Sequence, residues 1–307
     1  MIKLYLITGF LGAGKTTFLK KFVTLFQGQK LALIVNEFGK EGVDGALLST
    51  LGIALSEINN GSIFCSCRLD QFEEVLENTI FQKPDIVFVE ASGLSDPTNI
   101  HKILSQPGRF SQIQYMGSIC LADAKNFEKI FSTARVCKKQ LATSDIVILN
   151  KTDLVTQEKV DSVKQMILSQ RPDLKIYPTS FGAIQPDWIK NMTSPSASPE
   201  VSEIQTKDIT LKKFTITVKN DFPRYKFEKF LEMFIEDTYR IKGFVRLDDG
   251  IYLVDCVASA VQLKRYEEPV DDSLLQKVVV LSGGGMPTRH SIAKAVEWYE
   301  EWVEHWE

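Results

Sequence analysis

The sequence predicts an α/β chain, a mainly parallel sheet flanked by helices, with a second, smaller α+β domain after it. Three observations predict this. Short continuous apolar runs alternate with stretches of helical periodicity as far as Pro178, the pattern of repeated βαβ units. A glycine-rich turn joins the first apolar run to the first helical stretch. Met192 to Gln205, MTSPSASPEVSEIQ, is rich in Ser and Pro and poor in large apolar residues, and the pattern restarts beyond it. We therefore divide the 307 residues into a first domain at 1–190, a linker at 191–208 and a second domain at 209–307.

Each element has its own reason. Ile2–Ile7 is β-branched and aromatic and reads as a buried strand. Phe18, Leu19, Phe22, Val23 and Phe26 lie on one face of a helix. Leu31–Val35 is the second strand, ending in Asn36-Glu37-Phe38-Gly39, and Ala54–Ile58 the third, before the turn residues Asn59-Asn60-Gly61. Phe72, Val75, Leu76, Thr79 and Ile80 repeat at helical spacing with Asp70 as N-cap. Pro84 stops that helix ahead of the strand Ile86–Val89. Strands follow at Tyr115–Leu121, Ile146–Leu149 and Ile176–Pro178, with helices at Lys125–Phe131, Ala134–Leu141 and Gln157–Ser169. In the second domain, strands are expected at Leu211–Val218, Gly243–Leu247, Ile251–Asp255, Ala258–Leu263 and Val278–Leu281. Phe227, Phe230, Leu231 and Phe234 mark one helix there, and Ser291–Trp306 is expected to close the chain as another.

Composition narrows the function classes. A net charge of −3 gives no reason to expect nucleic-acid binding, and no apolar run approaches a membrane span. The N-terminus lacks the features of a signal peptide. Five cysteines without disulfide-framework spacing fit a reducing compartment, so a cytoplasmic protein is expected.

The motifs stand just after the expected strands, where open α/β sheets hold their ligands. Thr8–Thr17, TGFLGAGKTT, fits G-x-x-x-x-G-K-[ST] in the strand–loop–helix context that gives the pattern its mechanism. Gly9, Gly12 and Gly14 let the backbone bend so that main-chain N–H groups, that of Ala13 among them, turn inward on phosphate oxygens, aided by the helix dipole. Lys15 would reach the terminal phosphates, and Thr16, beside Thr17, would ligate Mg²⁺. Asn150-Lys151-Thr152-Asp153 is the N-K-x-D pattern of guanine readers. The Asp153 carboxylate can accept hydrogen bonds from guanine N1–H and its exocyclic amine, which adenine cannot offer. Ser180 and Phe181 are placed to close over the base. Glu90 ends a strand where an acid can hold Mg²⁺ or its water, and Gly93 allows close main-chain approach to a γ-phosphate. Lys15, Glu37 and Glu90 are the candidate catalytic residues, with Glu37 either orienting water or standing as a solvated loop acid.

These residues together carry a family resemblance. Thr8–Thr17, Asn36–Gly39 with Asp44, Glu90–Gly93 with Asp96-Pro97, and Asn150–Leu154 stand in the order and sequence of the CobW-like GTPases. That family is of the same broad class as the hydrogenase and urease nickel-insertion GTPases, and Arg240-Ile241-Lys242-Gly243-Phe244 is similar to its carboxy-terminal signature. The resemblance implies a GTP-hydrolysing accessory protein using GTP/GDP and Mg²⁺. It would handle Zn²⁺ or Co²⁺ for a client metalloenzyme or cofactor protein met through the second domain, and a homodimer linked to nucleotide state is plausible.

One loop departs from the family. Its metal motif reads Asn-Gly-Cys-x-Cys-Cys, where this chain has Asn60-Gly61-Ser62-Ile63-Phe64-Cys65. Cys65 and Cys67 are spaced to point to the same side of an extended segment, and with Glu37 or Glu41 they would make a candidate metal site. The alternative is two free cysteines in a switch loop. Of the three histidines, His101 reads as a surface residue and His305 as the last turn of the terminal helix; Cys120 reads as core. A GTPase switch for metal or metallocofactor delivery is the leading function. A GTP-dependent assembly or reactivation factor for a partner enzyme, corrinoid-dependent for example, stands second, and a phosphate-loop kinase third.

Overall fold

The computed structural model describes residues 1–37, 53–59, 69–106, 108–190, 192, 211–257 and 261–307. Its contacts divide the chain into Met1–Phe131 with Arg135–Lys207, and Ser132–Ala134 with Asp208–Glu307.

In the first unit, seven strands form one sheet in the order β3-β2-β4-β1-β5-β6-β7. These are β1 (Ile2–Gly9), β2 (Leu31–Glu37), β3 (Ala54–Asn59), β4 (Ile86–Glu90), β5 (Ile113–Asp123), β6 (Ile146–Asn150) and β7 (Lys175–Pro178). Every neighbouring pair is parallel. Helices α1 (Lys15–Val23), α2 (Leu69–Phe81), α3 (Ile100–Leu104), α4 (Phe127–Thr133), α5 (Arg135–Ala142), α6 (Gln157–Gln170) and α7 (Pro186–Lys190) are the described ones that connect or follow these strands. All residues of β4 and β6 are buried, as continuous apolar runs in a parallel sheet must be when both faces are covered. On one face Tyr5, Phe22 and Phe88 meet with ring centroids 5.2 to 5.9 Å apart, seating α1 on β1 and β4. Phe72, Leu76, Ile100 and Ile103 cover the other.

The second unit is a six-stranded antiparallel sheet in the order β11-β10-β9-β12-β8-β13. Its strands are β8 (Leu211–Val218), β9 (Arg240–Leu247), β10 (Gly250–Val257), β11 (Leu263–Arg265), β12 (Lys277–Gly283) and β13 (Val303–Trp306). Helices α8 (Arg224–Glu232) and α9 (Thr288–Trp298) bring Phe227, Phe230, Leu231, Ile292 and Ala295 into its core.

The structure corrects four expectations. The terminal helix stops at Trp298, and Val303–Trp306 becomes a strand on β8, so His305 lies opposite Thr217 and not in a helical turn. Glu300 and Glu301 would face the negative end of the helix dipole, which opposes extending the helix through them. The strand expected at Ala258–Leu263 is found at Leu263–Arg265, with 258–260 outside the described residues. Asp70 sits in the first turn of α2, because the helix already begins at Leu69. His101 is half-buried, its ring set edge-on to Tyr115 at 4.9 Å; burial lowers its pKa, opposed by the Asp145 carboxylate.

Candidate nucleotide site

The turn from β1 to α1 places the glycine loop at the carboxyl end of the sheet. Gly9, Gly12 and Gly14 have φ of 131°, 73° and 97°, left-handed or extended-positive conformations that disfavour side chains. At Gly14 a Cβ would also lie 2.4 Å from Asn150 Nδ2. Gly14 is the N-cap of α1, and the first helical bond shown runs from Phe18 N to the Gly14 carbonyl at 2.9 Å. Main-chain N–H groups of the first turn have no partner within their own helix and concentrate positive potential there. Lys15 is buried, its Nζ donating to the carbonyls of Gly9 at 2.9 Å and Phe10 at 3.3 Å. The loop therefore holds a cation and a helix N-terminus together, an arrangement suited to an anion.

Thr16 stands one residue further on. Its hydroxyl donates to Glu90 Oε1 at 3.1 Å, from the first turn of α1 to the end of β4. Glu90 is 5% exposed. Hydroxyl and carboxylate oxygens are hard donors, and neighbouring ligands on an octahedral cation with bonds of about 2.1 Å lie about 3 Å apart. The pair therefore fits Mg²⁺.

Asn150 ends β6 and joins two loops. Its Nδ2 donates to the Ala13 carbonyl at 2.9 Å, and its Oδ1 accepts from Gly182 N–H at 2.9 Å. Lys151 takes a left-handed conformation, φ 63°, with Nζ paired to Asp123 Oδ2 at 2.8 Å. Thr152 binds the Thr179 carbonyl through both N–H, at 3.1 Å, and hydroxyl, at 2.9 Å. Ser180 Oγ accepts from Asp153 N–H at 3.2 Å, leaving the exposed Asp153 carboxylate outside that bond. Phe181 has φ 54° and is 68% exposed.

Ala13, Gly14, Asn150 and Gly182 are thus brought together, as are Thr16 and Glu90, while the Lys15 side chain folds back on the carbonyls of Gly9 and Phe10. Gly93 packs on the glycine loop: a Cβ there would lie 2.6 Å from Leu11 N. Glu37 ends β2, but its side chain lies outside the described residues. Cys65, Cys67, Glu41 and Asp44 lie wholly outside them. Among the described residues no cluster of three or more His, Cys, Asp or Glu could hold a metal ion.

Sequence reading missed Asp123 and Gly182. Asp123, 3% exposed, accepts from Lys125 N–H at 2.9 Å as well as pairing with Lys151. Its place at the end of β5 was the available signal. Gly182, φ 64°, passes so near α1 that a Cβ would lie 2.7 Å from Phe18 N.

A parallel sheet with a glycine loop between its first strand and first helix defines a P-loop NTPase fold, here with an antiparallel second domain. Residues 3–178 match the model described as CobW/HypB/UreG, nucleotide-binding domain, and residues 211–296 that of the cobalamin synthesis protein cobW C-terminal domain. The chain belongs to the CobW/HypB/UreG family. The zinc chaperone YeiR of Escherichia coli (strain K12) is 34% identical over 189 residues, 60% of this chain and 57% of that protein. The zinc chaperone YjiA of the same organism is 31% identical over 198 residues, 60% of this chain and 59% of that protein. Zinc-regulated GTPase metalloprotein activator 1 of Schizosaccharomyces pombe is 30% identical over 192 residues, 58% of this chain and 46% of that protein. The chain thus spans between 46% and 59% of the length of these relatives. A crystal structure of the Zn(II)-bound YjiA GTPase from E. coli covers 97% of this chain and 98% of its own at 21% identity, with a TM-score of 0.49, too distant a likeness to bear on the site. Among the described residues no helix is long and apolar enough to cross a membrane.

Proposed function

We propose that this protein binds and hydrolyses GTP and uses the nucleotide cycle to drive delivery of zinc or cobalt, or of a metallocofactor, to a client protein. The observation that carries the nucleotide half is the Thr16 hydroxyl 3.1 Å from the buried Glu90 carboxylate, beside Lys15 at the opening of α1. Thr16 and Glu90 would hold Mg²⁺, which when bound neutralises charge on phosphate oxygens. Main-chain N–H groups from Gly9 to Thr17 and the Lys15 ammonium would cradle the phosphates, and Gly93 would approach the third one. Asp153 would accept from the guanine edge while Asn150 fixes the reading loop to the phosphate loop. Glu37 is assigned to orienting the attacking water, and the chemistry is positioning and charge neutralisation.

The metal half rests on Cys65 and Cys67 and on family membership. Two thiolates with Glu37 or Glu41 suit a borderline-soft cation. The client would meet the second domain, and family membership is compatible with a nucleotide-linked homodimer. Calorimetry with GTP, GDP and ATP, with and without Mg²⁺, tests the first half; tighter ATP binding, or binding of neither guanine nucleotide, would end it. Titration with Zn²⁺ and Co²⁺ tests the second. Binding lost in the Cys65→Ala, Cys67→Ala double variant is expected, and wild-type binding no better than that variant refutes metal delivery in favour of metal-free client assembly.

A further inference from the structure

Helix α5 touches the loop after β4 through adjacent residues. Gln140 is fully buried, 0% exposed, and its Nε2 donates to the carbonyls of Gly93 at 3.3 Å and Ser95 at 3.1 Å. Its Oε1 is buried without a hydrogen-bond partner among the described residues. Two acceptors fix the orientation of the amide, since only its NH₂ end can face them. A buried amide with its oxygen unsatisfied is a poor way to fill space that Leu or Met could occupy. What its nitrogen holds is the reason for it.

The rest of that loop is fixed as well. Lys139 Nζ pairs with Asp96 Oδ2, and Asp96 Oδ1 accepts from Thr98 N–H at 3.1 Å. The hydroxyls of Ser92 and Ser95 lie 2.8 Å apart. On its other side Gly93 rests on Leu11 of the glycine loop, whose N and Cα lie 2.6 and 2.8 Å from the place of a Gly93 Cβ. Gly93 is thus held between the glycine loop and the Gln140 amide.

We infer that Gln140 is a positioning residue for hydrolysis, holding Gly93 at the spacing a third phosphate requires and so setting the preference for triphosphate over diphosphate. The inference rests on the GTP-binding reading above. A diphosphate is served by the glycine loop and the first turn of α1, neither of which Gln140 contacts through the bonds described. The loop after β4 is left for the additional phosphate.

The test uses the full chain and two variants. Gln140→Met keeps length and apolar bulk and removes both donors; Gln140→Glu returns one O–H donor when protonated, as burial favours. Affinities for GDP and a non-hydrolysable GTP analogue, single-turnover phosphate release and the melting temperature are measured. For Gln140→Met, GDP affinity stays within about twofold, while analogue affinity and hydrolysis each fall about tenfold. Gln140→Glu recovers hydrolysis, relative to wild type at each pH, as pH is lowered. An unmoved GTP-to-GDP ratio and rate in Gln140→Met overturns the inference, as does an equal loss for both nucleotides. Should Gln140→Met not fold, Lys139→Met removes the neighbouring tether, with a shift of about threefold in the same ratio expected and an unchanged ratio overturning the inference. Wild-type protein that binds neither nucleotide removes the GTP reading itself, a result distinct from a variant that leaves the ratio unmoved.

Discussion

Replacing Asn150 by Ala is the most direct probe of the cradle. The side chain is 2% exposed and holds the Ala13 carbonyl and Gly182 N–H, each at 2.9 Å. Truncation leaves both main-chain groups unpaired away from bulk water. Each such group costs about 1–3 kcal/mol, so the variant should lose about 2–6 kcal/mol. Against a stability on the order of 5–15 kcal/mol, that loss is large yet leaves a folded protein to measure across most of the range. Urea unfolding followed by circular dichroism supplies the number, with the slope checked for constancy so that the midpoint shift reports stability. Asn150→Asp refines the result. It keeps the acceptor for Gly182 but turns an oxygen towards the Ala13 carbonyl, so its loss should be at least half that of Asn150→Ala. A loss under about 1 kcal/mol in Asn150→Ala, with GDP affinity unchanged, would refute the view that this side chain joins the two loops.

Further outcomes follow from the same geometry. Under the proposed guanine reading, Asp153→Asn replaces an acceptor by a donor where the exocyclic amine would lie, so GTP affinity should fall at least about 100-fold and xanthosine triphosphate, with a carbonyl there, should bind better than GTP; competition calorimetry decides. Burial pushes the Cys120 thiol up to about 12 and Cys256 up to about 11, and raises Cys137 as well. Native protein should therefore release no more than two equivalents with Ellman's reagent and five after unfolding. The His101 pKa is depressed by burial, so the unfolded chain takes up a proton that the folded chain refuses as pH falls below about 6.5. His101→Asn should then lose less stability than wild type between about pH 6.5 and 5, and superimposable pH–stability curves would contradict this.

The sequence disclosed the parts whose geometry follows from local spacing. TGFLGAGKTT and NKTD each fit one conformation after a strand, and runs such as Ile86–Val89 have no half-exposed alternative. What stayed hidden depends on chain returning from afar. Asp123 matters because Lys151 lies beside it, Gly182 because α1 passes under it, and Gln140 because the loop after β4 presents two carbonyls. At the C-terminus the apolar spacing of Ile292, Val296, Tyr299 and Val303 fits a helix, and Val303–Trp306 carries no alternation that would mark a strand, so pairing with β8 decided the outcome.

Where Gly182 skims the backbone of Thr17 and Phe18 there is no room for even a methyl group. On the GTP-binding reading, the seam between the base-side loop and the phosphate loop is therefore set by main-chain contact at Gly182, with the Asn150 side chain bridging the loops beside it. An engineer seeking to admit a larger or differently shaped base could not gain space by loosening this seam, and would have to exchange functional groups at the rim instead.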